Sequence, residues 1–233
     1  MSDFGILQTP AGPARLLRSD RATLAISVLP DGTLELVAPM DAGESDILTR
    51  VSRRLGWIIR QRTTFAEMNR NRVPLRYESG ATHRYLGRQY RLKVTCGQSP
   101  VGVKLSGAYF HISTRTGRPK EVETLLDIWF RDKAKEQFQV RLAKWLPWCA
   151  TRKIPVPSIR ILRMPKRWGS AHADGRIYLN PELMKAPSIC IDYVIAHEIC
   201  HLKHSHHDRA FYHQLDQLFP GWPAIRARLN QLQ

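Results

Sequence analysis

The chain has 233 residues, of which 43% are hydrophobic and 24% are charged, and its formal net charge is +16. A chain of this length buries a core large enough to fold without disulfides, so small disulfide-stapled folds are excluded. No stretch reaches the roughly 18 apolar residues of a membrane span, and no basic region followed by an apolar one begins the sequence. These features predict a cytoplasmic protein without membrane association.

The positive charge is spread along the chain. Residues 1–120 hold 19 basic and 9 acidic side chains, and residues 121–233 hold 17 and 11. Such an excess favours anionic partners such as nucleic acid or nucleotides. Solubility explains it equally well, because no single basic block stands out. The net charge therefore permits a weak association with nucleic acid.

Apolar patterning in the first part of the chain predicts one hairpin and one helix. Residues 22–38 alternate in hydrophobicity around the turn signal Pro30-Asp31-Gly32. Apolar residues at helical spacing then run from Ile47 to Ile59, after Ser45 as the expected N-cap. The outward positions of this helix carry arginines, which gives it a basic solvent face.

Strand patterns follow, and a boundary comes after them. Residues 83–94 predict two strands around a turn at Gly87, and residues 101–112 predict two more around Gly107. The stretch 114–120 contains glycine and proline and is the best boundary between domains in the chain.

The second half of the sequence has a mostly helical pattern. Residues 121–147 predict a long amphipathic helix, and short strands are predicted around Ile159 and Ile177. A helix opening at Ser188 runs into a histidine cluster, and a last helix covers Phe211–Leu218.

Six of the nine histidines lie between residues 197 and 213, and His197 to His201 form an H-E-x-x-H sequence. On a helix, positions i and i+4 share one face about one turn apart, so both imidazoles reach one metal ion. Glu198 is turned about 100° from His197, which places its carboxylate beside the metal and off the ligand line. Two ligands and a base for the reacting water, all from one turn, are typical of zinc hydrolases.

The third ligand must come from outside this turn. His204 would lie on the same helical face, and three ligands in line along one helix would not surround a metal tetrahedrally. His207 is six residues after His201, and Ser205-His206 give the chain a place to turn. We favour His207, then His206, then His204. We expect a catalytic rather than a structural zinc site, because structural sites usually have four protein ligands and H-E-x-x-H leaves one position open for water.

Cysteines do not contribute to this site. None of the four forms a C-x-x-C pair, which disfavours a cysteine-only zinc site and a thioredoxin-type redox site. We interpret Cys149, Cys190 and Cys200 as small, reduced core residues.

Over nearly its whole length, the sequence resembles the YgjP-like, or SprT-like, zinc metallopeptidases. The similar segments are 21–32, 85–90, 167–170, 177–180, 191–202 and 207–212. The resemblance implies zinc held by His197, His201 and His207, and it supports His207 over His204 as third ligand. The family usually has Cys after Trp-Gly-Ser, where this chain has Ala171, so one regulatory or redox role is absent at that position.

The pattern and the resemblance together predict an α+β protein. Residues 1–118 are expected to form a β-rich region with one helix. This region would pack on a mostly helical, zincin-like metallopeptidase domain with a small sheet, over residues 119–233.

Three functions fit the sequence. The first is a zinc metallopeptidase with Glu198 as general base, acting on a peptide or protein. The strand Ile177–Asn180 could then pair with an extended substrate as an edge strand. Arg163 and Tyr212 are candidates for stabilising the oxyanion, and Arg167 and Trp168 join Arg163 as candidate substrate-binding residues.

The second function is a zinc-dependent nucleoside triphosphate pyrophosphatase, a role attributed to some YgjP-like proteins. Arg163, Lys166 and Arg167 would neutralise the phosphates, because the chain has no Gly-rich phosphate loop. A more distant alternative is a nucleic-acid-associated protein or protease, which the charge permits although no recognition motif supports it.

Overall fold

A computed structural model describes residues 5–29, 31–70, 75–97, 99–165, 167–172 and 174–232. The α+β class is confirmed, since the described residues form three small sheets, seven α-helices and one 3-10 helix. The chain divides into two compact units, Met1–Val73 and Pro74–Gln233. The predicted boundary near residue 118 lies inside the second unit. Among the described helices, none is both long and apolar enough to cross a membrane.

The first unit contains a four-stranded sheet of order β1-β2-β4-β3. Its strands are β1 (Gly5–Thr9), β2 (Gly12–Ser19), β3 (Ala25–Val28) and β4 (Leu34–Pro39). The predicted hairpin is confirmed as the antiparallel pair β3–β4, although Pro30 of its turn lies outside the described residues. β1 and β2 were not predicted, because Ala14 is their one buried side chain and their apolar alternation is weak.

Two helices complete the first unit: α1 (Glu44–Arg53) and α2 (Leu55–Arg70). Ile47 and Val51 of α1 are buried one turn apart in the core of this unit. The prediction of one continuous helix was wrong. The backbone leaves helical geometry at Arg54 (φ −102°, ψ 3°), two residues before Gly56, whose type has low helix propensity.

The second unit opens with a sheet of order β5-β6-β8-β7. Its strands are β5 (Thr82–Tyr85), β6 (Arg88–Cys96), β7 (Gly102–Ser106) and β8 (Tyr109–Thr114). Both predicted hairpin pairs are confirmed, with β5 antiparallel to β6 and β7 antiparallel to β8. Leu92, Phe110 and Ile112 are buried from one face of this sheet. The structure therefore groups the sheet with the helical part of the chain, into which its core continues.

A long helix, α3 (Pro119–Ala143), packs against this sheet. Its buried residues recur every four positions and form one stripe: Val122, Leu126, Phe130, Ala134, Phe138 and Leu142. The helix was predicted to reach residue 147, but it ends at Ala143 and a short α4 (Leu146–Thr151) follows. Pro147 explains the difference, since it has no N–H to donate to the carbonyl of Ala143.

A three-stranded sheet and the last helices surround the histidine cluster. The sheet has the order β10-β11-β9, with β9 (Ser158–Ile161), β10 (Gly169–Ala171) and β11 (Arg176–Leu179). A 3-10 helix (Pro181–Lys185) leads to α5 (Ser188–His201), α6 (Arg209–Leu218) and α7 (Trp222–Asn230). The expectation of an edge strand at Ile177–Asn180 was wrong. β11 is the middle strand, and β10 is an edge.

The helix α5 is the most buried element of the second unit. It packs against α3, α6, α7 and β10. Arg141 of α3 donates a hydrogen bond to the carboxylate of Asp192 on α5 at 2.8 Å, and the two side chains are only 11% and 15% exposed. A buried ion pair is costly to break because the remaining charge is left without a partner. This pair therefore fixes how α5 lies against α3.

Candidate metal centre

The H-E-x-x-H sequence lies at the carboxyl end of α5, as its helical spacing predicts. Ile191, Val194, Ile195 and Ile199 of this helix are almost fully buried. A rigid apolar helix holds its polar end in a fixed direction, because its packing leaves few alternative positions. The rings of His197 and His201, one turn apart, lie with their centroids at 4.8 Å.

His207 joins these two imidazoles from the loop after α5. Its Nε2 atom lies 3.0 Å from Nε2 of His197 and 3.1 Å from Nε2 of His201. Three donors at about 2.0–2.1 Å from a tetrahedral metal would lie roughly 3.3 Å apart. The donor set and its spacing thus fit a metal ion, and the three residues form a candidate metal site.

The start of α6 explains why His207 reaches the cluster. Asp208 caps this helix, and its carboxylate accepts a hydrogen bond from the N–H of Phe211 at 2.8 Å. Since the cap fixes the chain direction at residue 208, the preceding His207 is held over the end of α5. Phe211 is fully buried, and its ring contacts all three imidazoles at centroid distances of 4.6–5.0 Å.

The other candidate third ligands lie outside this cluster. The carbonyl oxygen of His204 accepts a hydrogen bond from Nδ1 of His201 at 2.9 Å, and the ring of His204 contacts Oε1 of Gln214 at 3.1 Å. A hydrogen on Nδ1 leaves the Nε2 lone pair of His201 free for a metal. His204 therefore contacts His201 through its backbone and lies outside the cluster, as does the exposed His206.

The protonation states of the site suit metal binding. Burial, with a smaller effect from the neighbouring His201 and His207 rings, lowers the pKa of His197 to about 3. Burial also lowers the pKa of His207. Neutral imidazoles are the form that binds a metal. Burial raises the pKa of the Cys200 thiol to about 12, so this cysteine stays protonated inside the helix core.

Glu198 is buried beside the three histidines, with 5% of its surface exposed. Burial raises its pKa, the cation of Arg167 and the backbone N–H of Ala171 oppose this shift, and the resulting pKa is about 8. A divalent cation nearby would favour the ionised form further. The carboxylate thus lies in a buried site beside the backbone N–H of Ala171 on β10. Any residue except proline supplies this N–H, so the departure to Ala171 leaves it in place.

The model of the YgjP-like metallopeptidase domain matches residues 22–232. The chain belongs to this family. No curated protein matches it. The resemblance drawn from the sequence is confirmed, and membership supports a metal-dependent hydrolase, to which the cluster of His197, His201 and His207 supplies three metal donors.

The three predicted substrate-binding residues of the YgjP-like domain, Arg163, Arg167 and Trp168, lie in environments that differ from one another. Arg163 lies near the carboxylates of Asp127 and Glu182, at 3.4 and 3.8 Å, so its charge is already balanced. Trp168 packs against the core. Arg167 lines a groove of about 500 Å³, together with Leu162, Met164, Pro165, Ser170, His172 and Tyr178. Lys166 lies outside the described residues.

Several supporting residues of the YgjP-like domain were missed from the sequence. Asn180 is buried, and its side-chain amide donates to the carbonyls of Met164 and Arg167 at 2.7 and 3.2 Å, which secures the loop before β10. Arg226 of α7 also acts electrostatically on His197 and His207. The sequence did contain a signal for Asn180, because it is a polar residue directly after a predicted buried strand. The signal for α7 was hidden by the preceding Pro220-Gly221, which was interpreted only as a helix end.

Gly169 of β10 leaves the space that Glu198 occupies. A Cβ atom at this position would lie 2.6 Å from Oε1 and 2.8 Å from Cγ of Glu198. We expect Gly169→Ala to displace the carboxylate and lower kcat by about 10²-fold, the usual effect of a misplacement near 1 Å. The overpacking should also destabilise the fold by about 1–3 kcal/mol, measured by urea unfolding.

Gly102→Ala is the matched control for this prediction. Gly102 also lies in a strand of the second unit, and a Cβ atom there would have no neighbour within 4 Å. Adding Glu198→Asp to Gly169→Ala should restore stability, because the shorter side chain makes room for the methyl group. Equal stability of the two single alanine variants would contradict the proposed fit between Gly169 and Glu198.

Proposed function

We propose that the chain is a zinc metallopeptidase in which His197, His201 and His207 hold the metal and Glu198 is the general base. The observation that carries the proposal is the convergence of three imidazole Nε2 atoms, at 3.0–3.1 Å, at the end of the helix that buries Glu198. Family membership supports the same reaction class.

Zinc suits this donor set better than magnesium or calcium. Imidazole nitrogen is a preferred ligand of zinc, and three protein ligands are typical of catalytic rather than structural zinc sites. Magnesium and calcium prefer oxygen ligands, which the cluster lacks. When bound, zinc would polarise the scissile carbonyl and acidify the attacking water.

Proton transfer is the part of the reaction assigned to Glu198. Its ionised carboxylate accepts the proton of the attacking water and then donates it to the nitrogen of the leaving amine. The backbone N–H of Ala171 orients the carboxylate, and burial strengthens its interaction with nearby charge. Gly169 leaves it room.

The edge strand β10 supports a peptide as substrate. The backbone hydrogen bonds from His172 N to Arg176 O and from Asn180 N to Trp168 O join β10 to β11 at alternate residues. Gly169 and Ala171 therefore direct their backbone groups to the open edge. The N–H of Ala171 faces Glu198 there, so a peptide would pair with the other backbone groups of these two residues. An extended peptide that pairs with this edge would pass beside the general base.

The nucleotide alternative depends mainly on Arg167. This cation lines the groove beside β10 and acts electrostatically on Glu198, so a phosphate bound there would lie near the site. One arginine is a weak phosphate site, because Arg163 already has carboxylate partners. The peptide is therefore the preferred substrate, and the nucleotide is an outcome that the experiment distinguishes.

The experiment uses the full chain loaded with zinc. It is incubated with a library of unstructured peptides and with a panel of nucleoside triphosphates, and products are detected by mass spectrometry and phosphate release. We expect peptide cleavage and no nucleotide hydrolysis. In the best substrate, N-methylation of the backbone should block cleavage at alternate positions, because it removes the donors that pair with β10.

The pyrophosphatase hypothesis would replace the peptidase hypothesis under two conditions. The native chain would hydrolyse nucleotides and cleave no peptide, and both Arg167→Gln and Glu198→Gln would abolish the nucleotide hydrolysis. Peptide cleavage that is insensitive to N-methylation at every position would keep the peptidase but refute pairing along β10.

A further inference from the structure

The sheet of β5–β8 has an unusual distribution of charge. Residues 79–120 contain eight basic side chains and no aspartate or glutamate. Five of the cations lie on strands and are exposed, and four of them, Arg84, Arg91, Lys93 and Lys104, belong to the outer face. Most of the positive charge of this segment therefore lies on the sheet, and no acidic side chain of residues 79–120 neutralises it.

The strand register places these cations on one face. Leu92, Phe110 and Ile112 are buried on the inner face, so their alternating neighbours point outward. Lys93 of β6 pairs with His111 of β8, and His111 pairs with Lys104 of β7. One row across the outer face thus consists of two lysines with a histidine between them.

The cations of this face lie close enough to repel each other. Arg91 and Lys93 are two residues apart on β6, which separates them by about 6.6 Å at about 3.3 Å per residue. Within the described chain, none of Arg84, Arg91, Lys93 and Lys104 forms an ion pair with an acidic side chain. An anion supplied by a ligand would relieve this repulsion.

Two rings lie among the cations, of which Tyr109 is exposed and His111 is half-buried. Tyr109 and His111 lie two residues apart on β8, an inner strand of the sheet, and their ring centroids are 6.1 Å apart. Tyr109 is 43% exposed although it is a large aromatic residue. Arg91 pairs with Tyr109 on one side, and Ser106 pairs with it on the other. Rings flanked by cations offer a stacking surface beside sites for phosphate.

We propose that the outer face of the β5–β8 sheet binds single-stranded RNA. Phosphates would contact Arg84, Arg91, Lys93 and Lys104, and unpaired bases would stack on Tyr109 and His111. Four-stranded sheets that bind RNA commonly stack bases on aromatic side chains of their inner strands. A duplex cannot use these rings, because its bases are paired and stacked inside the helix.

Neutral polar side chains on the same face favour RNA over DNA. Thr82 pairs with Arg91, Gln89 pairs with Arg84, and Ser106 pairs with Tyr109. All three are exposed, and their hydroxyl or amide groups can hydrogen-bond a ribose 2′-hydroxyl. An acidic protein would pair with the cations but would not need the rings of Tyr109 and His111 for stacking.

The test measures fluorescence anisotropy of a labelled oligouridine of about 12 nucleotides, a length within known site sizes, titrated with the full chain at several salt concentrations. Lys93→Gln/Lys104→Gln should reduce the slope of log affinity against log salt by about 1.4, at about 0.7 per phosphate contact. Tyr109→Thr should weaken binding by about 5- to 150-fold, whereas Tyr109→Phe should bind normally.

Arg50→Gln/Arg53→Gln provides the matched charge control. These arginines are exposed at the end of α1, and the variant loses the same two charges. We expect it to bind oligouridine like the native chain. Circular dichroism and thermal melting check that each variant is folded.

Four outcomes would overturn the proposal. The first is that the chain does not bind oligouridine at low salt, and the second is that the α1 control weakens binding as much as Lys93→Gln/Lys104→Gln does. The third is that Tyr109→Thr and Tyr109→Phe bind oligouridine equally well. The fourth is that the native chain binds oligothymidine, duplex DNA or anionic vesicles as tightly as oligouridine, or more tightly. Each would remove a feature on which the RNA assignment depends: the cations, their position, the rings or the ribose.

Discussion

Replacement of Glu198 by Gln is expected to reduce turnover by about 10²–10⁴-fold, the usual contribution of a general base. Gln has the size of Glu and can still accept the hydrogen bond from the N–H of Ala171, but it cannot take a proton from water. Removing a buried ionisable group should not weaken the fold, because burial already opposes the charged form. Zinc content should stay the same, since no ligand is removed. Turnover and metal content are measured on the same preparation.

Glu136→Gln is the control for this variant. Glu136 lies on the surface of α3 and pairs with Lys133 at 2.8 Å, so its loss removes the same charge outside the site. It should leave turnover unchanged. Loss of zinc in Glu198→Gln would make Glu198 a ligand, and full turnover with zinc present would require another base.

Replacement of His207 by Ala should raise the dissociation constant for zinc by more than about 10²-fold. Two imidazoles on one turn hold a metal poorly, and loss of a ligand costs more than the about 10- to 100-fold typical of supporting residues. Competition with a chelator measures the constant. Zinc should also raise the melting temperature of the native chain, because it binds the folded state, and this effect should vanish in the variant.

His204→Ala and His206→Ala are the controls for His207. His206 is exposed and outside the cluster, so its loss should not change the dissociation constant. His204→Ala keeps the backbone carbonyl that accepts from Nδ1 of His201 and loses only the ring contact with Gln214. Its effect should therefore lie within the range for supporting residues. A His204→Ala variant without zinc, beside a His207→Ala variant that keeps it, would reverse the assignment.

Local spacing was sufficient to predict the parts of the protein that depend on neighbouring residues. His197, Glu198 and His201 could be placed because the positions of one helical turn follow from 3.6 residues per turn. The hairpins around Gly87 and Gly107 followed from alternation and turn chemistry, and both glycines have positive φ, at 81° and 56°. The end of α3 could also have been predicted, since Pro147 is visible in the sequence.

The sequence left His207, His206 and His204 open because their order depends on where the loop after α5 turns. The cap at Asp208 and the packing of Phe211 under the rings decide it, and both require α6 to be in place. The grouping of the β5–β8 sheet with α3 was missed for a similar reason, since a boundary signal such as Gly117 and Pro119 marks a turn but not which elements share a core.

The same holds for the surroundings of Glu198. That Gly169 makes room for this carboxylate, that Ala171 donates to it, and that β10 rather than β11 is the edge strand all follow from strand pairing between residues far apart in sequence. The hydrophobic period of a segment shows which of its faces is buried. It does not show which other element packs on that face, because the packing of the whole core determines the neighbour.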